Sequence, residues 1–311
     1  MELAPTEVAP SPGPALPGFA FFCLVAALYV ALGSVAQIWS LPFGLWWSQL
    51  FLFFLPTVLL LRTAGFWPLR FLGLTRPPAP GTAWFTGSIA VATFLSASSL
   101  MAVCESAVPG WLVDRFDLSR LLAQVHGPLQ VVLFASVVVG APLAEETVFR
   151  GYLLPVFEKR MGLGRAILAQ AFLFSLVHLD PVGFFPRLLL GAAFGWLVVL
   201  TGSLWASVFA HAVNNGISSW LFFRYGPGPE GEASPSSPGK ALLLSMIAGL
   251  AAGVLLALLR RRRPEGSRSP IDDPDGLAPP LDRWQIWGRM LAWGAAAAVG
   301  LAAIGLFASR G

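Results

Sequence analysis

The sequence predicts an all-α fold, a polytopic transmembrane helical bundle of about 8–9 membrane helices. Three observations predict it. Of 311 residues, 56% are hydrophobic and only 12% charged. The mean hydropathy is +0.71, which excludes a soluble globular domain, and no nucleic-acid partner is expected. The apolar residues also gather in runs near the ~20 residues that a helix needs to cross a ~30 Å hydrocarbon core.

Residues 1–17 are rich in Pro and Ala and read as a short disordered N-terminal tail. Apolar runs follow at 18–39, 43–61, 82–104, 128–156, 163–179, 183–201, 203–223, 240–259 and 287–307. The first three belong to an N-terminal region, 18–127. It closes on a segment, 105–127, where Asp114, Arg115, Asp117 and Arg120 stand among leucines, as in an amphipathic interfacial helix. The fifth and sixth runs are short, and Pro181 and Pro186 fall in them, which predicts a re-entrant or broken helix. Residues 128–223 form the expected catalytic core and 224–239 a flexible loop of Gly, Pro, Ser and Glu. The C-terminal region, 240–311, has two helices joined by a basic linker, 260–286, which begins with Arg260 to Arg263.

No secretory signal peptide is expected, since Glu2 and Glu7 stand where a basic leader would be and the first run is long enough to span. Cys23 and Cys104 lie in or beside apolar runs, so neither a disulfide framework nor a cysteine zinc site is expected. The basic residues set the orientation. With the N-terminus cytoplasmic, 13 Lys and Arg fall inside, six outside, and Arg150 within the membrane, which accounts for all 20. Two lysines against abundant Arg, Ala, Gly and Pro suggest a GC-rich bacterial genome, and hence a multi-pass protein of the cell inner membrane.

One apolar run breaks the pattern. Ala144-Glu145-Glu146-Thr147-Val148-Phe149-Arg150-Gly151 puts two carboxylates and a guanidinium inside it. One such charge at the bilayer centre costs about 2.5–3.5 kcal/mol on insertion scales, so three in six residues mark pairing or chemistry. Glu146 and Arg150, four apart on a helix, can form an ion pair, whereas Glu145 sits about 140° around from Arg150 at ~100° per residue. The arginine thus neutralises one carboxylate and leaves the other in a different environment, suited to a general base. A helix-locking ion-pair network is the structural alternative.

His178 ends Phe174-Ser175-Leu176-Val177-His178, and His211 lies mid-helix with Asn215 four residues on, stacking an imidazole and a carboxamide on one face. An interfacial cap and interhelical polar glue are the plain readings of these two features. His126, before Gly127-Pro128, reads as interfacial, and Ser175 as packing. Together, Glu145, Glu146, Arg150, His178, His211 and Asn215 supply the parts for water attack on an amide. The glutamate and first histidine would activate water, and the His/Asn pair would stabilise the tetrahedral oxyanion. With Ser175, one turn before His178, read as packing, no covalent nucleophile is indicated.

Glu145-Glu146-Thr147-Val148-Phe149-Arg150 resembles the Glu-Glu-x-x-x-Arg signature of the CAAX protease and bacteriocin-processing (CPBP, or Abi) family. Phe174 to His178 resembles its Phe-x-x-x-His motif, and His211 to Asn215 its His-x-x-x-Asn motif, in the family order over roughly 128–220. The resemblance implies a multi-helix intramembrane endopeptidase with Glu145 as catalytic glutamate, His178 as its partner in activating water, and His211 with Asn215 as the oxyanion hole. Glu146 and Arg150 would support the site. Glu145, Glu146, His178 and His211 could in principle bind zinc. With no His-Glu-x-x-His pair, a metal-independent glutamate mechanism with no cofactor is favoured. The expected partners are the lipid bilayer and a membrane-associated or secreted protein or peptide substrate; a prenylated substrate is not expected in a bacterium. The alternatives are a zinc-dependent version of the protease, a non-catalytic immunity or scaffold protein, and a proton-coupled transporter. No convincing internal repeat supports the last.

Overall fold

The computed structural model describes residues 16–117, 119–226, 237–262 and 277–309. The expectations for most of the tail, for the centre of the 224–239 loop and for much of the 260–286 linker therefore lie outside the described residues. Leu16, at the end of the expected tail, is buried, and its carbonyl accepts from Arg160 Nη2 at 2.7 Å.

The described residues hold nine long helical segments and no strand, only an isolated bridge between Phe66 and Leu277. In chain order they are α1 Gly18–Trp39, α2 Leu41–Thr63, α3 Pro80–Ser106, α4 Pro128–Met161, α5 Leu163–Leu176, α6 Phe184–Thr201, α7 Leu204–Tyr225, α8 Pro238–Arg260 and α9 Arg283–Ala308. Seven of them are long and apolar enough to cross a membrane, and the chain is a multi-pass membrane protein. The two that fall short are α5 and α7. With 14 residues, α5 is roughly 21 Å long, below the ~30 Å core. In α7, Ser207, His211, Asn214, Asn215, Ser218 and Ser219 lower the hydropathy.

The interruption expected around Pro181 and Pro186 is a clean break. Pro181 lies in the α5–α6 turn, and Pro186 sits in the first turn of α6, where its missing N–H has no helical partner to lose. The expected interfacial helix is instead two short helices, Gly110–Phe116 and Ser119–Ala123. Asp117 between them is extended and accepts from both the backbone N–H and the hydroxyl of Ser119, at 2.8 and 2.7 Å.

Two clusters of buried side chains fill the bundle. One joins Phe21, Phe22 and Val25 of α1 to Leu52 and Phe53 of α2, Phe149 and Tyr152 of α4, and Phe174 of α5. The other joins Ile89 and Ala90 of α3 to Phe194 and Leu197 of α6, Ala210 of α7 and Leu259 of α8. Hydrogen bonds between side chains and backbone tie neighbouring helices. Ser96 and Ser245 each donate to the other's carbonyl at 2.9 Å across α3 and α8. Trp47 and Trp293 donate to Ala297 and Phe51 across α2 and α9. Such bonds average about 0.6 kcal/mol in membranes, so they set register more than stability.

Prolines shape the helices that carry the site. In α2 and α4 the backbone widens to π-helix at Gln49–Phe54, Ser136–Gly140 and Thr147–Leu153. Each stretch ends two residues before a proline: Pro56, Pro142 and Pro155. A proline inside a helix lacks an N–H and crowds the carbonyl four residues back, and a wider turn relieves both. Glu145 and Glu146 thus lie on a short α-helical turn, Ala141–Glu146, between two π stretches.

Candidate active site

Side chains of the neighbouring helices reach carbonyls around the first widened turn of α4, among them Val137 O, which Pro142 leaves without an N–H five residues on. Gln49 Nε2 donates to Ser136 O at 3.1 Å, Asn215 Nδ2 to Val137 O at 2.8 Å, and Trp46 Nε1 to Val132 O at 3.1 Å. Donors from α2 and α7 therefore brace α4 just before its glutamates. Gly140 lets α2 approach, since a Cβ there would come within 2.9 Å of the Trp46 ring.

The two glutamates occupy different surroundings. Glu146 is fully buried, and its Oε1 accepts from Arg150 Nη1 at 2.8 Å and faces His211 Nδ1, also at 2.8 Å. A carboxylate accepts, so His211 carries its proton on Nδ1 and turns Nε2 away. That Nε2 lies 4.0 Å from Glu145 Oε2. The Glu145 side chain keeps 18% of its surface open, against none for Glu146, while Oε2 of each is buried with no hydrogen-bond partner.

Arg150 is held where the two apolar clusters meet. Its guanidinium carbon lies 4.3 Å from the centroid of Phe174, 5.5 Å from Phe194 and 6.0 Å from Phe149. Cation–π contacts of this kind strengthen when desolvated. Arg150 Nη2 donates to Gly191 O at 3.2 Å, and Gln170 Nε2 reaches the same oxygen at 2.9 Å. Gly191 makes this approach possible: a Cβ there would lie 2.9 Å from Ala171 Cα.

The Phe174 ring also touches both site histidines, with centroids 5.1 Å from His178 and 5.8 Å from His211. His178 is exposed on the α5–α6 turn, and its Nδ1 lies 2.8 Å from Phe174 O. A carbonyl only accepts, so Nδ1 is the protonated nitrogen and Nε2 keeps a free lone pair.

Glu145, Glu146, Arg150 and His211 are thus gathered directly, and His178 joins them through Phe174. Asn215 points its amide nitrogen at Val137 O, leaving one N–H of that group for another acceptor. Of the residues around the site, sequence reasoning passed over Phe194, Gly191 and Gln170. Only Gln170 left a signal, as a lone amide in the apolar stretch Ala166–Phe174. His126 is exposed, and Ser175 Oγ donates to Phe184 O at 2.6 Å across the turn. Among the described residues no group of three or more His, Cys, Asp or Glu is placed to hold a metal ion.

Residues 127–217, which contain every residue of this cluster, match the family model for Rce1-like proteins, described as type II CAAX prenyl endopeptidase Rce1-like. Over that segment the chain is similar to the CPBP family, to which the Rce1-like model belongs. No curated protein and no solved structure matches the chain. The match takes in α4 to the middle of α7; α1 to α3, α8 and α9 lie outside it.

Proposed function

We propose that this chain is an intramembrane endopeptidase that uses Glu145 and His178 to activate water against a peptide bond of a membrane-associated or secreted substrate. Residues 128–223 are its catalytic core. The observation that carries the reading is the division of labour between adjacent carboxylates. Glu146 is fully enclosed, with Arg150 and His211 both on its Oε1, whereas the Glu145 side chain keeps 18% of its surface open.

In this reading Glu145 takes a proton from water, His178 Nε2 orients that water, and the hydroxide oxygen attacks the carbonyl carbon. The carbonyl π electrons move to oxygen; when they return, the C–N bond breaks with its electron pair on nitrogen, and the proton held by Glu145 passes to that leaving amine. His211 Nε2 can donate to the oxyanion only when the ring carries both protons, because Nδ1–H is directed at Glu146. A zinc mechanism would need about three protein ligands at one point. Glu146 takes up His211 Nδ1, which leaves Nε2 as the nitrogen for either role, oxyanion donor or metal ligand. The loop contacts fit nine alternating crossings, because Arg62 bonds Pro279 O and Ser203 bonds Arg76 O on one side. The distribution of basic residues supports placing that side in the cytoplasm.

The test compares the membrane proteome of a deletion strain carrying the wild-type gene with one carrying Glu145→Gln. The variant should accumulate in the membrane in folded form and leave uncleaved the precursors that the wild type processes. Normal processing by Glu145→Gln would overturn the assignment.

A further inference from the structure

We propose that Asp180 and Arg187 are positioning residues for His178, clamping the turn that presents it. The proposal rests on the reading of His178 as the water-activating imidazole.

The turn from α5 to α6 is held by a small set of contacts. His178 is exposed, and the next residue, Leu179, has φ +54°, the positive-φ non-glycine residue among those described. A leucine keeps left-handed backbone only where its surroundings over-determine it, and such residues cluster at functional sites. The constraint comes one residue later. Asp180 Oδ1 accepts the backbone N–H groups of Val182 and Gly183 at 2.9 and 3.1 Å, while Oδ2 accepts from Arg187 Nη1 at 2.7 Å. The carboxylate thus ties the turn to itself and to the first turn of α6. The pair is largely enclosed, with Asp180 10% and Arg187 26% exposed, so it is weakly screened.

Gly183 leaves room for it, since a Cβ there would overlap both Arg187 Nη1 and Asp180 Oδ2. On the other side, Ser175 Oγ donates to Phe184 O, and Phe174 O holds His178 Nδ1. The imidazole therefore has one end fixed by α5, and the turn that follows it is closed by the Asp180–Arg187 pair. A guanidinium in the first turn of a helix opposes the helix dipole, so generic helix stability does not explain Arg187. Placing His178 does.

The chain has three histidines, which makes the test direct. In full-length protein labelled with 15N at histidine and held in lipid nanodiscs, His178 should show a single tautomer with Nδ1 protonated. Asp180→Asn and Arg187→Gln should each convert that signal to an average of both tautomers while the His211 signals stay in place. Arg187→Lys, which keeps the charge, should largely restore it. In the complemented deletion strain, precursor processing should fall about 10²-fold for the first two variants, the scale of a 1 Å misplacement. An unchanged His178 signal in Asp180→Asn and Arg187→Gln would overturn the clamp. So would loss of processing with that signal intact. The spectroscopic result needs no turnover, so failure of His178→Ala to impair processing would strike the catalytic reading and leave the clamp standing on its own measurement.

Discussion

Nδ1 of His211 and Oε1 of Glu146 are 2.8 Å apart, and Arg150 Nη1 meets that same oxygen at the same distance. One carboxylate oxygen thus joins α4 to α7 and orients the imidazole that faces Glu145. Glu146 is more than a counter-ion on its own helix.

For this reason Glu146→Gln should be damaging in two ways. It leaves the Arg150 guanidinium buried without its carboxylate, a loss of about 3–5 kcal/mol for a broken buried pair. It also frees His211 to rotate. Membrane yield and thermal stability in detergent should both fall, and the folded fraction should process precursor more slowly. Wild-type stability together with wild-type processing would show that the shared oxygen matters little.

Asn215 carries a different expectation. Asn215→Ala should slow turnover roughly 10²–10³-fold, the usual loss for one oxyanion donor. His211→Ala should be at least as severe, and the double variant little worse than either, because residues that act on one oxygen are not additive. If the amide served only to brace Val137 O, Asn215→Ala would lower thermal stability and leave turnover of the folded protein near normal.

Gly191 offers a purely steric test. An alanine there would press on Ala171 and push α6 away from α5, stretching both hydrogen bonds to Gly191 O. Overpacking of this kind costs about 1–3 kcal/mol. Gly191→Ala should lower the thermal midpoint, and adding Ala171→Gly should recover part of the loss. No recovery would mean that the contact between the two helices is not the cause.

Orientation is open to reporter fusions. A reporter placed after Arg263 should read cytoplasmic, and one inserted near Ser236 external, as the 13-to-six distribution of basic residues requires. Reversal of both would invert the topology, and reversal of one would reveal an extra or missing crossing.

The sequence by itself determined the helical bundle and the chemical types at its centre. Spanning length and hydropathy are local properties, so the apolar run at 128–156 and α4 differ only at their C-terminal ends. The Glu146–Arg150 pairing is local as well, since residues four apart on one helix meet whatever surrounds them. Tertiary structure decided the rest. A helical wheel assumes uniform turns, but Pro142 and Pro155 widen α4 on either side of the glutamates, and the freed Val137 carbonyl takes the Asn215 amide. Only the packing of α7 against α4 gave His211 its Glu146 partner, and only the approach of α6 set Arg150 among three aromatic rings. The physical reason is range: hydrophobic length and charge spacing act along one helix, whereas the partner of each buried polar atom depends on which helix packs beside it.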